Sequence, residues 1–161
     1  MNVALLAPKI IFFLLVTLSV PAIAFDLGLG VSLVSPNGFT VKSFANHKRL
    51  KAYDGAIGWG DEELYLHGDY LMIQPTFYRE GSILFDLYYG IGGRFIYRDE
   101  DNRSIADNDD EIRLGFRLPI GVSALFTSVD IEGFGEMSVT ADLYPESSVD
   151  LHVTLGGRYY P

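Results

Sequence analysis

From residue 112 to residue 126 every even position is apolar: Ile112, Leu114, Phe116, Leu118, Ile120, Val122, Ala124 and Phe126. Arg113, Gly115, Arg117, Gly121 and Ser123 lie between them. A period of two is the mark of an extended strand with two unlike faces. The stretch SILFDLYYGIGGRFIYR (82–98) repeats the pattern, with Phe85, Leu87, Tyr89, Ile91 and Phe95 on one face and Asp86, Gly90, Gly92 and Arg94 on the other. Further alternating segments are read at 25–34, 38–45, 50–59, 64–73, about 129–143 and 149–160. The segment at 38–45 is weak, and that at 129–143 is irregular because Gly133 and Gly135 fall on its apolar face. SPNG (35–38), GDEE (60–63) and residues 127–128 are read as turns, and RDEDNRSIADNDDE (98–111) as the longest loop. No segment carries a helical period. Eight alternating strands with short connections predict an all-β fold, an eight-stranded antiparallel up-and-down transmembrane β-barrel, once the faces are assigned as below.

The first 24 residues, MNVALLAPKIIFFLLVTLSVPAIA, break the alternation. Lys9, the apolar run from Ile10 to Val20 and Ala22-Ile23-Ala24 have the form of a secretory signal peptide with its cleavage site. Residues 25–161 then form one barrel domain. Loss of Lys9 takes the formal charge from −9 to −10. So acidic a chain is unsuited to nucleic acid. It has no cysteine, so no disulfide supports an exported fold.

Period alone does not say which face looks inward. Size does, because an eight-stranded barrel has an interior just wide enough for side chains to fill. The bulky set would crowd that interior and is assigned to the outside, in lipid. The opposite set contains Gly28, Gly30, Gly58, Gly90, Gly92, Gly115, Gly121 and Gly156, together with charges of both signs that can pair. Gly90 and Gly92 are read as clearing space for Arg94. Aromatics gather at both ends: Phe25, Tyr70, Phe85, Phe126 and Tyr159 at a periplasmic rim, Trp59, Phe95 and Tyr97 at an outer rim. Such girdles mark outer-membrane barrels. The long acidic loop falls on the outer side and the turn 127–128 on the periplasmic side.

LYLHGDYL (64–71), YYGIGGRF (88–95), LGFRLPIGVSALF (114–126) and GGRYY (156–160) together resemble a family of small outer-membrane barrels of spirochaetes, similar to the eight-stranded transmembrane domain of OmpA. The resemblance covers nearly the whole of 25–161. It implies fold and outer-membrane location and little chemistry, since that family is largely of unknown function. The last strand is similar to the assembly signal of such barrels at Thr154, Gly156 and Tyr159, but position 161, where the signal has an aromatic, is Pro161; Tyr160 is the candidate substitute.

Three chemistries are open to these residues. Lys42, His67, Asp69, Asp86, Arg94, Arg113, Arg117, Glu136 and Arg158 are expected to form a charge network that plugs the lumen, with a narrow ion path as the alternative. Asp99, Asp101, Arg103, Asp107, Asp109 and Asp110 are the contact candidates of the acidic loop. That loop is no EF-hand, because Arg103 and Ser104 stand where a ligand and a glycine are needed. A lipid-modifying enzyme would need a base beside a nucleophile on the outer wall. His67 and His152 point inward by phase, His47 lies in a turn, and Ser43 is the outward hydroxyl. The expectation is therefore a non-enzymatic barrel of the cell outer membrane, structural or surface-interacting, with no cofactor and no catalytic or metal residue assigned. Its partners would be membrane lipid, the barrel assembly machinery and an extracellular host or other surface protein, and the barrel would be a monomer.

Overall fold

The structure, a computed structural model, describes residues 27–34, 37–45, 47–60, 63–98, 111–145 and 147–161. The leader 1–24, Phe25 and loop residues 99–110 lie outside them. The strands are β1 (Leu27–Ser32), β2 (Gly38–Phe44), β3 (Lys51–Gly60), β4 (Glu63–Glu80), β5 (Ile83–Arg98), β6 (Glu111–Phe126), β7 (Ile131–Tyr144) and β8 (Ser148–Tyr159). Each pairs antiparallel with the next, and β8 returns to β1 to close an eight-stranded barrel. The closing seam is short, running from Leu29↔Tyr159 to Ser32↔Gly156. Residues 47–50, 81–82 and 127–130 turn the chain at the end that also holds Leu27 and the C-terminus (the terminal end). At the opposite, loop end, β5 and β6 open onto residues 99–110.

The alternation becomes two faces. On β6, Phe116, Leu118 and Ile120 are 58%, 54% and 54% exposed, while Arg117 between them is 0% exposed. Leu29, Val31, Phe39, Tyr89, Ile91, Val139, Leu151 and Val153 continue the apolar outer face around the barrel. Outward aromatics pair near both ends. Phe39 and Trp59 stand 5.3 Å apart toward the loop end. Tyr53–Tyr70 and Tyr78–Phe85, at 5.5 and 5.7 Å, stand toward the terminal end.

Several boundaries differ from the sequence reading. β4 runs on to Glu80 instead of stopping at 73, because an irregularity interrupts its pairing with β5 between Gln74 and Tyr78 without ending it. Thr76 takes φ 45° there, and its N–H donates to Asp86 Oδ1. The β6–β7 turn has four residues, 127–130, with Asp130 at φ 52°, so β7 begins at Ile131 and not at 129.

The lumen also holds more bulk than expected. Phe44, Ala52, Leu71, Ile73, Tyr88 and Tyr160 form an apolar plug toward the terminal end. Arg49 lies over it, 4.9 Å from the Phe44 ring centre. Phe134 is buried higher up, with the Arg158 guanidinium 3.9 Å above its ring. Inward glycines make this possible, but for partners across the strand pair and not for their own strand. A Cβ at Gly92 would strike Asp69 and one at Gly90 would strike Leu71, so these glycines make room for β4 rather than for Arg94. A Cβ at Gly121 would enter the Tyr88 ring, and one at Gly156 would meet Phe134.

Gly121→Ala is therefore expected to destabilise the barrel by about 1–3 kcal/mol through overpacking. Gly133→Ala, whose Cβ would meet nothing within 4 Å, is expected to be near neutral. Urea unfolding in detergent micelles reads both, and Tyr88→Leu in the Gly121→Ala background should recover part of the loss.

Candidate functional site

The inward positions put charge in three tiers, each held by strands that are not all neighbours. In the lowest, β2 supplies Lys42 and β7 supplies Glu132, joined Nζ to Oε1 at 2.6 Å. Arg158 of β8 reaches Glu132 Oε2 at 3.4 Å and Asp54 Oδ2 of β3 at 2.5 Å. Its Nη2 also donates to Thr40 Oγ1 at 2.8 Å, and the Tyr160 hydroxyl donates to Glu132 Oε2 at 2.7 Å. Tyr160 is thus turned into the lumen, where it cannot serve as the outer-face aromatic of a terminal signal; Tyr159 is the outward one, 54% exposed.

In the middle tier Arg117 of β6 bridges Asp69 of β4 and Glu136 of β7. Backbone register sets Arg117 opposite Thr140, so the side chain leans along β7 to reach Glu136. The imidazole of His67 sits beside this tier, with Nε2 3.7 Å from Asp54 Oδ1 and 3.8 Å from Asp69 Oδ2. In the upper tier Arg94 of β5 holds Asp142 of β7 in a two-pronged pair, Nε–Oδ1 3.0 Å and Nη2–Oδ2 2.7 Å. Its Nη2 also meets Asp150 Oδ2 at 2.6 Å, and its Nη1 lies 2.5 Å from His152 Nε2. Gly115 admits this pair, since a Cβ there would strike Asp142. Arg98 and Glu63, 2.8 Å apart, form a half-exposed pair at the mouth.

Of the candidates read from the sequence, Lys42, His67, Asp69, Arg94, Arg117, Glu136 and Arg158 come together in these tiers. Asp86 does not join them; it accepts the Thr76 N–H at the β4 irregularity near the terminal end. Arg113 is half-buried near the loop end. Asp99, Asp101, Arg103, Asp107, Asp109 and Asp110 lie outside the described residues. Three members were missed. Asp54 shares its face with Ala52, Ala56 and Gly58, and that small-residue phase was the signal that could have found it. Glu132 and Asp142 lie on β7, whose phase the glycines blurred. His152 contacts Arg94 as well as standing near Asp150, and Ser43 faces outward.

The tiers pack the interior of the barrel. Arg117 and Thr140 are 0% exposed, and Tyr88 and Leu71 1%, so side chains fill the lumen at these levels. A cavity of about 10 Å³ remains beside Asp54, His67, Glu136 and Arg158, room for about one water. Charge this deep is retained only by pairing, since an unpaired buried ion costs several kcal/mol. Searches of known protein families, curated proteins and solved structures give no match to the chain. The strand number, antiparallel order and closure are compatible with a small barrel of the OmpA transmembrane type.

Removing Arg117 leaves Asp69 and Glu136 facing each other without a cation. Arg117→Met is expected to cost about 3–5 kcal/mol. Adding Asp69→Asn and Glu136→Gln should return most of it. The fluorescence of the single tryptophan, Trp59, followed through urea unfolding, measures both steps.

Proposed function

We propose that the chain is an integral outer-membrane barrel with a closed lumen, of structural or surface-interaction role. One observation carries the reading: a closed barrel whose outer wall is apolar all round and whose interior is ionic. Water-soluble monomers rarely expose contiguous apolar patches beyond a few hundred Å², whereas a barrel in lipid requires such a belt and must satisfy every backbone group by closure. The paired aromatics toward both ends support the same placement, because aromatic rings favour the two membrane interfaces. An exported precursor with the leader 1–24 fits this location, as does the family resemblance read from the motifs.

The occluded interior favours a plug over a pore. An aqueous path would leave Arg117 wet, and its side chain is 0% exposed. The rigid wall then acts as a support for the longest connection, 99–110, which leaves from the loop end and holds the contact candidates Asp99, Asp101, Arg103, Asp107, Asp109 and Asp110. Loops on rigid scaffolds are where binding functions concentrate. The partner in this reading is a surface or host protein with a basic face, complementary to the acidic loop.

Trp59 reports the placement directly, being the single tryptophan and outward-facing. In vesicles, quenchers attached near the headgroup should reduce its emission more than quenchers near the bilayer centre; emission indifferent to both would contradict insertion. Protease added to intact cells should cut within 98–111 and leave the rest whole, and protection of that segment would remove the surface-contact role. Purified protein in planar bilayers should give no discrete conductance steps.

A further inference from the structure

The His67 imidazole is buried, its side chain 4% exposed, yet Nδ1 has no hydrogen-bond partner and Nε2 stands 3.7 and 3.8 Å from two carboxylate oxygens, beyond hydrogen-bond reach. A buried ring nitrogen left without a partner is costly, and Nε2 faces the two carboxylates at the spacing of ligands around a common centre. Nε2 of His67, a carboxylate oxygen of Asp54 and one of Asp69 all lie within 4.8 Å of one another. Tetrahedral ligands at zinc distances stand about 3.4 Å apart, so His67 needs to close on each carboxylate by only a few tenths of an ångström, and no pair in the cluster by more than about 1.4 Å. Asp69 faces His67 with Oδ2, the oxygen that Arg117 also holds, while its Oδ1 has no hydrogen-bond partner.

We propose that Asp54, His67 and Asp69 form a site inside the lumen for one divalent first-row cation, with Zn²⁺ the best match. One imidazole nitrogen and two carboxylate oxygens make three protein ligands, the number that leaves zinc a fourth position for water. The cavity bordered by Asp54 and His67 has room for about one such molecule. Calcium and magnesium are poorly served, because they need six or more oxygens or several retained waters. The arginines supply the outer support that metal ligands need: Arg158 holds Asp54 through Oδ2, and Arg117 holds Asp69.

Charge points the same way. Around this spot Asp54, Asp69, Glu132 and Glu136 face Lys42, Arg117 and Arg158, so one negative charge lacks a counterpart. A divalent ion whose bound water has released a proton supplies one net positive charge, and metal-bound water ionises near neutral pH.

The full chain is refolded into detergent micelles with Zn²⁺, desalted, and its metal content measured; one equivalent per folded chain is expected. Co²⁺ in its place should give the visible absorption of a four-coordinate site. His67→Gln and Asp54→Asn should weaken zinc binding by about 100-fold or more, since each removes a direct ligand and outer partners alone are worth 10–100-fold. His47→Gln, in an exposed turn, should leave it unchanged. Folded wild-type chain that retains no zinc and shows no Co²⁺ band overturns the site, whatever the variants do. Zinc retained equally by His67→Gln overturns it too.

Discussion

Width is the constraint on which the rest of this molecule depends. Eight strands closed on themselves leave an interior that side chains fill, so every inward residue must touch another. A charge placed there cannot rely on water and has to find a partner across the lumen. The arginines do most of this work, because a planar guanidinium can hold two carboxylates at once. Arg117 joins β4, β6 and β7, Arg94 joins β5, β7 and β8, and Arg158 joins β3, β7 and β8. Backbone pairing links each strand only to its neighbours; these side chains tie opposite walls.

The same narrowness explains the glycines. Room for a long side chain on one strand is made by deleting the Cβ on the next, as Gly92 does for Asp69, Gly115 for Asp142 and Gly121 for Tyr88. Glycine and charge are therefore two halves of one packing solution. The apolar plug of Phe44, Leu71, Ile73, Tyr88 and Tyr160 finishes the terminal end, where Tyr160 also donates to Glu132 and so couples plug to ionic tiers.

The sequence revealed the barrel because the period of two survives wherever one face is wholly apolar. β6 is the clearest case, with eight apolar residues in phase from Ile112 to Phe126. It faded where a face loses its contrast. Gly133 and Gly135 stand outward on β7 and Phe134 stands inward, the reverse of the usual contrast, so Glu132 and Asp142 went unseen. The lower half of β4 was lost because its irregularity after Gln74 shifts the phase. Charges in the lumen could be named from phase, but which cation meets which carboxylate depends on tilt and side-chain reach. Arg117 opposite Thr140 yet bound to Glu136 shows why counting along strands falls short. Tyr160 shows the same limit at the end of the chain, where one residue of phase separates a lipid-facing ring from a buried one.

The central claim is that the apolar face of this barrel looks into lipid and the ionic face into a closed lumen. The chain contains no cysteine, so single cysteines from 112 to 126 can carry a spin label without background. In bilayers, collision with dissolved oxygen should rise at the even positions and fall at the odd ones, with the water-soluble nickel reagent excluded from both across the middle of β6. Even positions that meet the nickel reagent freely, with no alternation in oxygen collision, would contradict the account.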